Sequence, residues 1–173
     1  ACAARAKRLR QHAGRGSGRG AWILTLANFF HCEIFSMDIS SFDDLLQAAR
    51  MQPEPQRLLF VFAAVELPDD ATPAQRARFE AGQGGALVPL MCVDKTPQEL
   101  PSFSALVEEA RQFTAPGHDW AMVFAAALSG TLNQAPSSAD AEAPLQRMVD
   151  AIKGGAHGAY IPFDRQGQPV RFG

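Results

Sequence analysis

Five charged residues follow apolar runs of the sequence, at places where buried strands are predicted to end: Glu66, Asp94, Lys95, Asp164 and Arg165. In open α/β sheets, ligands bind beyond the carboxyl ends of the strands. Asp-Lys and Asp-Arg stand at equivalent places in two halves of the chain. The two acid–base pairs could therefore face one crevice and bind a small molecule. The competing interpretation is turn chemistry, because Asp favours strand ends and a neighbouring cation is then a solvated partner.

The other reactive residue types form no recognisable constellation. Cys92 is the only cysteine of the patterned region and lies in an apolar run, which favours a buried thiol. The sequence has no Cys/His cluster and no Ser/His/Asp spacing, so we predict no metal, no cofactor and no catalytic residue. Two glycine clusters, 82–85 and 154–158, lead from a predicted helix into a predicted strand. That is the place of a left-handed helix C-cap, whereas phosphate loops lead from a strand into a helix.

Two similar halves of the chain, residues 41–94 and 102–164, must position these groups. The pattern SFxxLxxxAR at 41–50 returns at 102–111, and VFAA at 61–64 returns at 123–126. Each half reads as helix, strand, helix, strand, and an internal repeat is information about the fold. Alternation of this kind predicts a mainly parallel or mixed sheet with helices packed on it. We therefore expect one α/β domain made of two αβαβ pseudo-repeats, with four to five strands.

Local patterns support these elements. Apolar residues recur at helical spacing over 41–51. The continuous apolar run at 58–65 is short enough for a strand that is buried on both faces. Pro89 lies inside the next predicted strand and indicates an edge position or a bulge.

Charge divides the chain at Met37. Residues 1–36 carry six basic residues and one acidic residue, whereas residues 37–173 carry ten basic and seventeen acidic residues. The acidic body argues against nucleic acid as a partner, and no apolar run reaches the roughly 20 residues that span a bilayer. Three interpretations of 1–36 stay open: a secretory signal, a mitochondrial transit peptide, or translation that starts at Met37. We favour the third, with 1–36 as a non-globular extension and 37–173 as the domain, because a helix start follows at 40–44.

Three stretches carry a resemblance: RLLFVFA, GGALVPLMCVDKTPQEL and APLQRMVDAIKGGAHGAYIPFDRQGQPVRFG. Through them the chain resembles a group of small uncharacterised proteobacterial proteins, some of which carry the name ribonucleotide reductase subunit alpha. A catalytic subunit of that enzyme needs a thiol pair and a radical cysteine. Cys92 stands alone, so the resemblance assigns no catalytic residue here. A weaker likeness, in the order of strands and helices, is to domains of the enhanced-serine-sensitivity type and would imply an interaction domain.

The sequence thus leads to two functional expectations. The first is a non-catalytic cytoplasmic binding or interaction protein, with a protein partner or a second copy of itself, and without nucleic acid or membrane. The alternative is a small-molecule-binding enzyme or sensor that uses the five strand-end residues.

Overall fold

The computed structural model describes residues 39–114 and 119–172, together with the backbone of residues 7–8. The predicted extension at 1–36 otherwise lies outside the described residues. No helix of the described part is long and apolar enough to cross a membrane. The elements follow in the order β1 (Lys7–Arg8), α1 (Phe42–Arg50), β2 (Gln56–Glu66), α2 (Pro73–Glu80), β3 (Ala86–Lys95), α3 (Phe103–Arg111), β4 (Met122–Ser129), α4 (Ser138–Lys153), a 3-10 turn (His157–Ala159) and β5 (Ile161–Phe163).

The five strands form one sheet in the order β1-β3-β2-β4-β5, and every neighbouring pair is antiparallel. The prediction of a mainly parallel or mixed sheet is therefore wrong. The alternation of helices and strands along the chain is as expected, but it does not determine strand direction here.

The connection from β2 to β3 explains why these two strands are antiparallel. A parallel connection needs a helix that packs across the face of the sheet, and α2 has no buried residue. Its sequence offers one large apolar side chain, Phe79, so the chain returns from β2 directly to an antiparallel β3. Strands β3 and β4 run in the same direction, but β2 lies between them.

Strand β2 is the centre of the fold because it is buried on both faces, as its apolar run predicted. On one face, Leu58, Phe60 and Phe62 pack in a core with α1 and α3. On the other face, Leu59 and Val61 pack in a second core with α4. The sheet is thus covered by two helices on one side and by one on the other.

The two halves correspond only in part. Helices α1 and α3 begin at equivalent serines, whose hydroxyl groups accept hydrogen bonds from the third residue of each helix. The equivalent rings of Phe42 and Phe103 lie 4.8 Å apart. The VFAA repeat, however, does not match in space. Phe62 pairs with Val123 on the α1–α3 face, whereas the ring of Phe124 belongs to the opposite core. A shift of one residue moves a side chain to the other face of a strand.

Both glycine clusters end helices, as predicted. After α4, Gly155 has φ +76°, and the N–H of Ala156 donates to the carbonyl of Ala151. After α2, Gly82 has φ +74°, and the N–H of Gln83 donates to the carbonyl of Arg78. These are the hydrogen bonds of a left-handed helix C-cap.

Strand β3 also agrees with the prediction made from Pro89. The register between β2 and β3 shifts opposite Phe62 and Ala63, and Pro89 is the partner of Ala63. The strand lies next to the edge of the sheet and contains a bulge.

Gly167 lies in the turn after β5 and contacts the first helix of each half, α1 and α3. Its carbonyl accepts a hydrogen bond from the N–H of Phe42 at 2.9 Å. It has φ +76°, and a Cβ atom at this position would lie 2.9 Å from the ring of Phe103. Both the backbone conformation and the close contact require glycine.

We predict that Gly167→Ala lowers the free energy of unfolding more than Gly155→Ala does. The two glycines share the same φ, but a Cβ on Gly155 would meet nothing within 4 Å. Left-handed backbone costs an alanine about 1 kcal/mol at either site, and overpacking adds about 1–3 kcal/mol at Gly167. Urea unfolding of the two variants measures the difference. Equal losses would mean that the Phe103 contact contributes nothing.

Candidate functional site

The five predicted strand-end residues do not meet, because the strands alternate in direction. Asp94 is level with Leu59 of β2 and Ala126 of β4, whereas β5 ends at Phe163, level with Val123. Three strand spacings and three residues separate Asp94 from Phe163, which is roughly 17 Å between Cα atoms at ordinary sheet dimensions. Asp164 and Arg165 lie farther along, at the opposite end of the sheet from Asp94.

Glu66 is also at the far end. It pairs with Ala86 at the start of β3 and is exposed. Seven residues of β2 separate it from Leu59, which is about 23 Å of strand. The carboxyl ends of β2 and β3 lie at opposite ends of an antiparallel pair, so these strands cannot form one crevice from Glu66 and Asp94.

The best organised polar group surrounds Asp94. Its carboxylate accepts hydrogen bonds from the Arg57 guanidinium at 2.6 Å and from the Ser138 hydroxyl at 2.8 Å. The side chains of Arg57 and Asp94 are each 12% exposed. Arg57 also donates from Nε to the carbonyl oxygen of Pro136. We call Arg57, Asp94 and Ser138 the Asp94 cluster. It joins β2 and β3 to the first turn of α4.

Lys95 points to the other face and has its own partner. Its ammonium group lies 2.7 Å from a carboxylate oxygen of Glu109 on α3, and the Lys95 side chain is 9% exposed.

The following turn is closed by Glu99, whose carboxylate accepts hydrogen bonds from the N–H and hydroxyl of Thr96. The Thr96 N–H, ahead of its hydroxyl, lowers the pKa of Glu99. A lowered pKa makes this turn stabilising above the ordinary titration range of Glu, and the contribution is lost as the pH falls.

At the other end, Asp164 and Arg165 are engaged in local structure. One carboxylate oxygen of Asp164 accepts the N–H groups of Gln166 and Gln168. Arg165 donates to the carbonyl oxygen of Trp120 at 2.8 Å and lies over its indole ring. This agrees with the interpretation of Asp as a turn residue.

The only base in the Asp94 cluster is the Asp94 carboxylate, which is already ion-paired with Arg57. The hydroxyl of Ser138 donates directly to Asp94, and a nucleophilic serine needs a neighbouring base with an orienting third group. Within residues 39–114 and 119–172, no group of three His, Cys, Asp or Glu side chains could hold a metal ion. The geometry is that of a structural junction between three elements.

Sequence reasoning missed Arg57 and Ser138. Arg57 is a single cation at the start of an apolar strand, and Ser138 follows the α4 N-cap, Ser137. A lone cation beside a buried run could have indicated a buried partner, because a buried charge requires one. Neither position indicated that the partner would be Asp94.

The two edges of the sheet differ. The β5 edge is short and is covered by the chain itself, since the N–H of Val170 donates to the carbonyl of Pro162, and Phe163 bridges to Pro169. The outer edge of β3 is ten residues long. Among the described residues, its only strand partner is β1, which pairs at Met91 and Cys92. Edge positions beyond a ladder of two residues are a template for adding another strand.

Comparisons of the chain with protein-family models, with curated proteins and with solved structures found no match.

We predict that Asp94→Ala lowers the free energy of unfolding by about 3 kcal/mol, because it leaves the Arg57 guanidinium buried without its carboxylate. The matched control is Glu108→Ala, which removes the exposed Glu108–Arg111 pair and should cost less than about 0.5 kcal/mol. In the double variant with Arg57→Met, the two losses should not add, since the residues are in contact. Denaturant unfolding measures the unmodified chain, the two single variants Asp94→Ala and Arg57→Met, their double variant and the Glu108→Ala control. A loss for Asp94→Ala no larger than that of the control would contradict a structural role.

Proposed function

We propose that this protein is a non-catalytic, cytoplasmic binding protein that takes up an extended polypeptide strand on the outer edge of β3. The observation that carries the proposal is the asymmetry of the two edges. The chain closes the β5 edge with its own residues 169–170, whereas the strand pairing on the outer edge of β3 covers two residues in the part of the chain that the structure describes. Strand addition is a recurrent mode of peptide recognition, in which main-chain hydrogen bonds supply affinity.

The usable part of this edge is the segment 90–95. Pro89 has no N–H to donate, and the bulge beside it twists the strand, which are both features that protect an edge from pairing. Beyond the bulge, Met91 and Val93 are anchored in the core with α1 and α3. A rigid edge binds a strand at lower entropic cost, since only the incoming segment becomes ordered.

The charged groups favour binding over catalysis. Asp94 and Lys95, the two predicted site residues on this strand, are both buried and both held in ion pairs with other elements. These ion pairs hold the end of β3 in place, beside the edge where the incoming strand would pair. We propose that the incoming strand comes from another polypeptide. If it came instead from a second copy of this chain, binding would be detected as a dimer.

Opening the edge should change hydrogen exchange in a way that an added strand reverses. We predict that replacing Lys7 and Arg8 with Pro in the full chain speeds amide exchange in 90–95, because Pro cannot donate a ladder hydrogen bond. The probe is a peptide with the sequence of residues 3–12. It should restore slow exchange in that segment and leave the β5 segment, 161–163, unchanged.

Mass-resolved exchange of peptic fragments makes this measurement, and light scattering of the same samples reports dimers. Circular dichroism establishes that the variant keeps the helices. If the peptide changes no exchange rate in 90–95, or protects 161–163 to the same extent, the proposed function is wrong.

A further inference from the structure

We infer that the strand recognised by the β3 edge is cationic, and that Lys7–Arg8 act as an internal competitor for the same place. This inference rests on the proposed function and on residues 1–36 being part of the protein, as they are not if translation starts at Met37. Its first support is the strand seated there, which consists of two cationic residues paired with Cys92 and Met91. The edge therefore accommodates a Lys-Arg strand in antiparallel register.

The second support is charge complementarity. Residues 1–36 have a net charge of +5, whereas residues 37–173 have a net charge of −7. A cationic strand is attracted to this body, and opposite net charges raise the rate of association as well as its selectivity. Helix α4, which packs on β3, carries three acids (Asp140, Glu142 and Asp150) and two cations (Arg147 and Lys153), and so adds a net charge of −1.

The attraction is spread over the body and does not arise from one partner residue. At the end of β3, Asp94 is already matched by Arg57, and Lys95 is matched by Glu109. An incoming cation gains no vacant carboxylate there. A preference of this kind weakens steeply with salt, because the screening length falls from about 30 Å at 0.01 M to about 8 Å at 0.15 M.

Competition follows from the shared place on the edge. A tethered strand competes with an external strand at an effective concentration set by its linker. An external strand can pair only with the fraction of molecules in which the edge is open, and its apparent affinity falls by that fraction. Weakening the internal pair should therefore strengthen binding of an external strand.

Fluorescence anisotropy with labelled peptides tests both parts. The cationic probe is the peptide of residues 3–12, which contains Arg5, Lys7, Arg8 and Arg10. The neutral probe replaces these four residues with Gln, and the acidic probe replaces them with Glu. The proteins are the full chain, the variant Lys7→Pro/Arg8→Pro, and the control variant Lys7→Gln/Arg8→Gln, which keeps both backbone N–H groups.

We expect the Pro variant to bind the cationic probe about tenfold more tightly than the unmodified chain does, and about tenfold more tightly than it binds the neutral probe; each factor corresponds to about 1.4 kcal/mol. The Gln variant should lie between the other two proteins. Raising the salt concentration from 0.01 M to 0.15 M should reduce the preference for the cationic probe.

Each failure has a separate meaning. Equal binding of the cationic and neutral probes would overturn the charge preference and leave strand addition intact. Equal affinity of the unmodified chain and the Pro variant for the cationic probe would overturn the competition. No binding of any probe to any of the three proteins would overturn the proposed function itself.

Discussion

The burial of β2 on both faces is the constraint on which the rest of this structure depends. Five of its side chains have no exposed surface: Leu58, Phe60, Val61, Phe62 and Ala63. A strand in this position must pair on both sides, because each unpaired buried N–H or C=O group costs free energy. Strands β3 and β4 meet that demand, and α1, α3 and α4 then cover the faces that the three strands create.

Ion pairs close the end of the sheet where β2 begins and β3 ends. At this end the strands emerge from the two cores toward solvent. Polar side chains at that point are still partly buried and need partners. Arg57 and Asp94 satisfy each other on the α4 side, and Lys95 meets Glu109 on the α3 side. A buried ion pair contributes little net stability over an apolar pair, but breaking it leaves a costly unpaired charge. Asp94 and Lys95, two of the predicted site residues, therefore hold elements of the fold together.

The sequence predicted the elements better than their arrangement. Apolar spacing located α1 and β2, the glycine clusters located the ends of α2 and α4, and Pro89 indicated the bulge in β3. These are local signals, since they depend on neighbours a few residues away. Strand direction depends on the whole path of each connection, since α4 packs on the sheet and β4 and β5 are still antiparallel. Helix α2 is polar and has no buried residue, so it does not carry the chain across the sheet. The partners of Asp94 could not be predicted, because Arg57 and Ser138 are brought to it by three separate elements.

The direction of the strands also separates the predicted site residues. In a parallel sheet the carboxyl ends lie together, so that the strand-end residues of two halves can line one crevice. In an antiparallel sheet the same residues are divided between opposite ends, as Glu66 and Asp94 are. An antiparallel sheet presents its edge strands instead. A protein either covers such an edge or uses it to pair with another strand. Here one edge is closed by the chain that follows β5. The other edge carries a two-residue strand from the basic part of the chain on an acidic body. In the antiparallel sheet, the strand-binding position that we propose therefore lies along the side of β3 and not at the ends of the strands.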